Sequence, residues 1–141
     1  MNSGPLKKMS RHQIRLQGPW DVIPPGEETR QSIRVPVSWI TLFGERSGTA
    51  TFCRHFNSPT NLTLEDRVLI HFPERCGTIA ECHMNGTDLF PLSGFPCTFD
   101  VTSGLQLSNE LTVMIEYHPT HAEDETGGLW QPVILEIVTP E

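Results

Sequence analysis

Thr78-Ile79-Ala80-Glu81-Cys82-His83-Met84-Asn85-Gly86-Thr87-Asp88-Leu89 reads as a β-hairpin. Alternation puts Ala80, Cys82 and Met84 on one face and Ile79, Glu81 and His83 on the other, which is the period of a strand rather than of a helix. Asn85-Gly86 then supplies two residues that accept positive φ, as a type I′ turn requires.

The same period recurs on both sides. In residues 111–117, Leu111, Val113, Ile115 and Tyr117 share one face while Thr112, Met114 and Glu116 share the other, so one side of that strand faces a core. Further strands are expected at residues 12–16, 33–37, 49–56, 67–72, 87–89, 98–101 and 133–138. Helix is nearly absent. About nine strands with no internal repeat point to an all-β fold, an antiparallel β-sandwich with jelly-roll connections. Residues 18–32 and 119–128 read as long loops, the second carrying the acidic run Glu123-Asp124-Glu125, and loops at the ends of a sandwich are the usual carriers of binding.

Composition bounds the function. The chain of 141 residues is of one-domain size, with residues 1–10 read as a flexible N-terminal segment and 11–141 as a single sandwich. Its 11 Gly and 12 Pro suit short elements joined by turns. Ten Lys+Arg against 17 Asp+Glu give a formal net charge of −7, which argues against a nucleic-acid partner. No apolar run approaches the ~20 residues of a membrane span, and no apolar stretch follows the N-terminal lysines as a secretory signal would, so the expectation is a cytoplasmic chain. Cys53, Cys76, Cys82 and Cys97 are accordingly expected as reduced thiols. The Asn-x-Ser/Thr sequons at Asn61 and Asn85 read as chance matches, Asn85 being a turn residue.

Two local conflicts stand out. The parity that buries Phe52 and Phe56 also turns Arg54 inward, so Arg54 is expected at a sandwich edge or paired with Asp100 or Glu116. Cys53 and His55 share a face and could seat a soft metal with Cys82 or His83, but adjacent Cys82 and His83 point to opposite faces and no Cys-x-x-Cys occurs. Buried thiols with surface histidines is the reading taken, with no metal and no cofactor expected; a Ca²⁺ would need converging loop oxygens that the sequence cannot display.

Taken in order, several landmarks resemble the N-terminal sugar-binding β-sandwich of family 2 glycoside hydrolases, the β-galactosidase, β-glucuronidase and β-mannosidase group. They are Gly18-Pro19-Trp20; Val35-Pro36-Val37-Ser38-Trp39; Gly48 through Phe56; Ala80 through Gly86; Phe99-Asp100-Val101-Thr102; Asn109-Glu110-Leu111-Thr112-Val113; and Gly127-Gly128-Leu129-Trp130-Gln131-Pro132-Val133. The resemblance implies a galactose-binding-like fold and a non-catalytic accessory role. The family's catalytic glutamates lie in a barrel and match no position here. This sequence departs from the pattern at His83, where an aromatic residue is usual, and at Cys53, where a basic one is. In the family the loop before Gly-Gly can lend an acid to the sugar pocket; Glu123 and Asp124 lie in that loop at an offset that does not match.

Sugar recognition needs an aromatic platform beside amides and carboxylates. Trp39, His83, Asn85, Glu123, Asp124 and Trp130 are the candidates, although Trp20, Trp39 and Trp130 could equally close the ends of the core. The expected partner is therefore a carbohydrate, with a protein partner that the domain braces as the alternative. An autonomous glycosidase would need two carboxyls at a defined separation, and no other catalytic motif is present.

Overall fold

The computed structural model describes residues 9–140. In chain order the strands are β1 (Met9–Arg15), β2 (Gly18–Ile23), β3 (Gln31–Val35), β4 (Gly48–Asn57), β5 (Arg67–His71), β6 (Thr78–Met84), β7 (Thr87–Asp88), β8 (Pro91–Leu92), β9 (Phe95–Asp100), β10 (Ser108–Tyr117) and β11 (Ile134–Pro140), with a short α-helix, α1 (Trp39–Phe43), and a single 3-10 turn at Thr102–Gly104 among the described residues. They form two antiparallel sheets, β1-β11-β5-β9-β8 and β3-β2-β4-β10-β6-β7. The chain is an all-β sandwich whose core lies between the sheets. Leu111, Val113 and Ile115 of β10 are fully buried, as their alternation requires, and meet Val68, Ile70, Phe99 and Leu135 of the other sheet. Each such side chain contributes roughly 1.5–3 kcal/mol of burial.

The hairpin at residues 78–88 forms as expected. His83 pairs with Asp88 and Met84 with Thr87, while Asn85 and Gly86 take φ of 54° and 80°. One face of β6 departs from simple alternation, because the β6–β10 register shifts between Met114 and Ile115, so that Glu81 faces Met114 while Ile79 faces Ile115. The bulge reverses parity below it, so Ile79 packs against the core and Ala80 is exposed.

Further expectations need correction. Residues 18–32 are not one loop, because β2 occupies their first part and buries Trp20 and Val22. Pro19 is tolerated there because β4 pairs with β2 only from Asp21 onward. Trp39 opens α1, which Ser38 caps by accepting the Thr41 N–H. Among the described residues Arg54 has no carboxylate partner: its Nε and Nη2 donate to the Gln17 carbonyl at 3.1 and 2.7 Å, and Nη1 donates to the His55 carbonyl. Asp100 instead pairs with Arg67, and Glu116 with His118. β4 is a central strand, and Arg54 satisfies its charge on backbone oxygens just beyond the last residue that β2 pairs. Strand β1 begins at Met9, opposite Pro140, so residues 9 and 10 belong to the sandwich and the rest of segment 1–10 lies outside the described residues.

Several landmarks are folding devices. Asp100 Oδ1 accepts the Thr102 N–H at 2.9 Å and its hydroxyl at 2.6 Å, closing a turn after β9. Asn109 is buried at the head of β10. Its amide donates to the carbonyls of Phe56 and Gln106 and to Ser58, and its oxygen accepts from Gln106 and Asn85.

Candidate functional site

The six residues singled out from the sequence do not converge. Trp39 is 0% exposed, its ring set against Phe43 and Tyr117 at centroid distances of 4.8 and 5.5 Å, and its Nε1 donates to the Arg46 carbonyl at 2.7 Å. A ring enclosed in this way has no face left for a ligand, so Trp39 is a core residue rather than a platform. The local sequence explains its position: Val37 N–H donates to the Leu129 carbonyl and Trp39 N–H to the Gly127 carbonyl, drawing α1 onto the segment before β11.

His83 and Asn85 lie at the hairpin end of the six-stranded sheet. Asn85 is consumed by structure, its amide donating to Gly104 O and Asn109 Oδ1 and its oxygen accepting the Glu110 N–H. Asp124 and Trp130 lie at the opposite end, where Tyr117 finishes β10. Tyr117 lies seven positions along β10 from Glu110, roughly 23 Å at the strand rise, so the two groups cannot touch one small ligand.

Within the second group the roles differ. Glu123 is exposed. Asp124 turns inward, its Oδ1 accepting from the Thr126 N–H and hydroxyl at 2.9 and 2.8 Å and its Oδ2 accepting the Tyr117 hydroxyl. The Tyr117 hydrogen bond, then those of Thr126, hold the Asp124 carboxyl down to about 2, while burial and Asp124 itself push the Tyr117 phenol up. Asp124 is an ionised pin for its loop. Trp130 is half-buried and donates Nε1 to the Glu74 carbonyl at 2.7 Å. Gly127 and Gly128 hold that approach, donating to the carbonyls of Arg75 and Cys76 at 3.1 and 2.8 Å. Both have positive φ, and a Cβ on Gly127 would stand 2.4 Å from the Tyr117 ring.

Beside Glu74 the structure opens a cavity of about 580 Å³, lined in part by His71, Phe72, Glu74, Phe95, Pro96 and Thr98. Its apolar wall includes Phe95, which is 62% exposed. The polar wall is braced from behind. His71 Nδ1 meets Thr98 Oγ1 at 2.9 Å and His71 Nε2 meets Glu136 Oε1 at 3.0 Å. Glu136 is buried on β11, where it also accepts from Arg11 at 3.0 Å and Gln13 at 3.2 Å on the edge strand β1. None of these residues was singled out from the sequence. A charged residue among the apolar positions of the closing strand, Leu135-Glu136-Ile137, was the one available signal.

Burial alone would raise the Glu136 carboxyl, but the His71 and Gln13 hydrogen bonds and the charges of His71 and Arg11 outweigh it, leaving the group below its ordinary value. Asp66, held down by the Thr63 N–H, and Asp124 are displaced the same way. Among the described residues all three displaced carboxyls are lowered. With folded values below the unfolded ones, Glu136 and Asp124 each stabilise the fold above their ordinary carboxyl range, and that stability is lost as the pH falls through the folded value, which for Asp124 is about 2. Urea unfolding between pH 6 and 2 should show a decline, and Glu136→Gln should flatten it; parallel profiles for the two proteins would contradict this account.

Cys76 and Cys82 are buried thiols, pushed up to about 12 by that burial, and Cys53 and Cys97 are raised for the same reason. His55 is exposed and meets Glu110. Among the described residues no three His, Cys, Asp or Glu groups gather as metal ligands, and no helix is long and apolar enough to cross a membrane.

Comparison with known proteins places this sandwich in a class: it has the fold of a small domain carried by larger glycosidases. No protein-family model matches the chain, and no curated protein sequence matches it. Among solved structures it is similar to part of an FMN-binding β-glucuronidase from Faecalibacterium prausnitzii L2-6, with a TM-score of 0.69 and 23% identity over 92% of this chain and 23% of that one. A β-glucuronidase from an uncultured Clostridium sp. gives a TM-score of 0.70 and 19% identity over 96% of this chain and 30% of the enzyme. A rhamnosidase from Novosphingobium sp. PP1Y gives 0.70 and 19% over 95% of this chain and 16% of that enzyme. The chain thus spans less than a third of each of these enzymes. The resemblance carried by the sequence landmarks is met at the level of the fold.

Proposed function

We propose that this chain is a non-catalytic accessory module that recognises carbohydrate in the cavity between the end of β5 and the β8–β9 turn. The observation that carries the reading is the pairing there of an open aromatic face, Phe95, with polar groups at Thr98 and Glu74, the Thr98 hydroxyl being held in place by His71. Sugars present an apolar ring face and a belt of hydroxyls, and a concave site of this size with one ring and a few fixed polar groups suits them. Trp130 supports the site by holding the Glu74 backbone, and the exposed Glu123 stands on the loop at the same end of the sandwich. The similarity to a domain of glycosidases raises the weight of a sugar ligand as an analogy of fold.

The test is a glycan array followed by calorimetry on the intact chain and on Phe95→Ala. Phe95 is mostly solvent-exposed, so its truncation should leave the fold unchanged while weakening binding about tenfold or more. A blank array, or a binder that Phe95→Ala does not affect, would overturn this site. A second reading, a brace for a partner chain, is favoured by the exposed Phe90 and Leu92 on the same hairpin. It predicts no glycan binding but stable association with a glycosidase lacking its own sandwich domain.

A further inference from the structure

The six-stranded sheet ends in an unfinished edge. Its terminal strand β7 has two residues and covers only His83 and Met84 of β6, and the Leu89 N–H reaches the Cys82 carbonyl as the last bond along that side. Beyond it the chain leaves for the other sheet through Phe90 and β8. Among the described residues no strand lies against the outer edge of Thr78–Ile79–Ala80–Glu81. A bare strand edge is a row of unpaired backbone donors and acceptors and a template for another chain.

Alongside this edge lies a second cavity of about 210 Å³, walled by Ile79, Cys82, Leu89, Phe90 and Phe99. A cavity of roughly 150 Å³ lined by apolar side chains already accepts a benzene ring, so this one has room for a single large apolar side chain. Phe90, at its mouth, is 78% exposed. The other side chains around it include Glu81 and Asp88, both exposed carboxylates, on a chain of formal net charge −7.

We propose that the Thr78–Glu81 edge of β6 binds an extended peptide strand from another chain, one large apolar residue of which enters the cavity while basic residues beside it meet Glu81 and Asp88. Strand addition supplies affinity through the main chain and specificity through alternate side chains, which is the combination present here. A second copy of this chain is a poor occupant, because it would bring the exposed Glu81 and Asp88 of both copies to one seam between chains that each carry a formal net charge of −7. The bulge at Ala80 further restricts the added strand to a short register. The proposal holds whichever ligand fills the cavity beside Phe95.

A displayed library of seven-residue segments alternating Lys or Arg with apolar residues, and its Asp/Glu counterpart, would be panned against the intact chain, with hydrogen exchange on the bound and free protein. Binders are expected from the basic library alone, with new protection confined to amides in and around Thr78–Glu81. Affinity should fall about tenfold or more in Glu81→Lys and in Phe90→Ala. Both side chains are exposed, so the variants remain folded, as circular dichroism would verify. No basic binder, protection elsewhere, or unchanged affinity in both variants would overturn the proposal; protection of the same amides by self-association would overturn it in favour of a second copy.

Discussion

Trp39→Ala is expected to lower stability by about 3–5 kcal/mol, the cost of emptying a fully buried aromatic site that its neighbours cannot refill. The indole is wedged between Phe43 and Tyr117, with Phe52 and Gly128 close behind. Its loss also leaves the Arg46 carbonyl without the Nε1–H donor. Because a domain is stable by only about 5–15 kcal/mol in total, the midpoint of thermal unfolding should fall by roughly 10–20 °C. Differential scanning calorimetry decides it. A variant with unchanged stability would mean that the ring is not the closing piece of this end of the core. Trp39 as a ligand platform would predict that outcome together with lost binding.

Gly77→Ala is expected to be nearly as damaging for a different reason. Gly77 takes φ of +117°, and a Cβ there would stand 2.3 Å from the backbone oxygen of Glu116 and 3.1 Å from Ile115 Cγ2. A side chain could rotate away, but a strand backbone can retreat only by loosening the β6–β10 pairing that begins at Thr78 opposite Glu116. Backbone strain and overpacking together should cost about 3–4 kcal/mol. Gly86→Ala is the control. Gly86 also has positive φ, but nothing lies within 4 Å of its Cβ position, so about 1–2 kcal/mol is expected. Chemical denaturation of both variants separates the two terms: equal losses would show that conformation alone, and not the contact with β10, restricts Gly77.

These two sites show where local reading succeeds and fails. The hairpin at Asn85-Gly86 was legible because a two-residue turn with positive φ is specified by its own residues, and β10 because its alternation is unbroken over seven positions. β2 was hidden because Pro19 and the Pro24-Pro25 pair flank only two inward residues, Trp20 and Val22. The inward face of β6 below Cys82 was misassigned because its bulge depends on the register of a partner strand about thirty residues away. The Gly127-Gly128 approach could be expected from its composition, but not the residues it approaches, Arg75 and Cys76. The candidate site fared worse, since an aromatic residue beside a turn has the same local signature whether it closes a core, as Trp39 does, or lines a ligand site.

By itself the sequence determined an all-β sandwich, most of its strands, the central turn and the likeness to a glycosidase domain, because alternation and turn chemistry act over a few residues. Only the tertiary structure decided that Trp39 is enclosed, that Arg11, His71, Thr98 and Glu136 form one network beside Phe95, and that the edge of β6 lies open. The contacts of that network join residues 27, 65 and 125 positions apart. Which strands become neighbours is settled by the burial of whole faces against one another, and no local pattern carries that information.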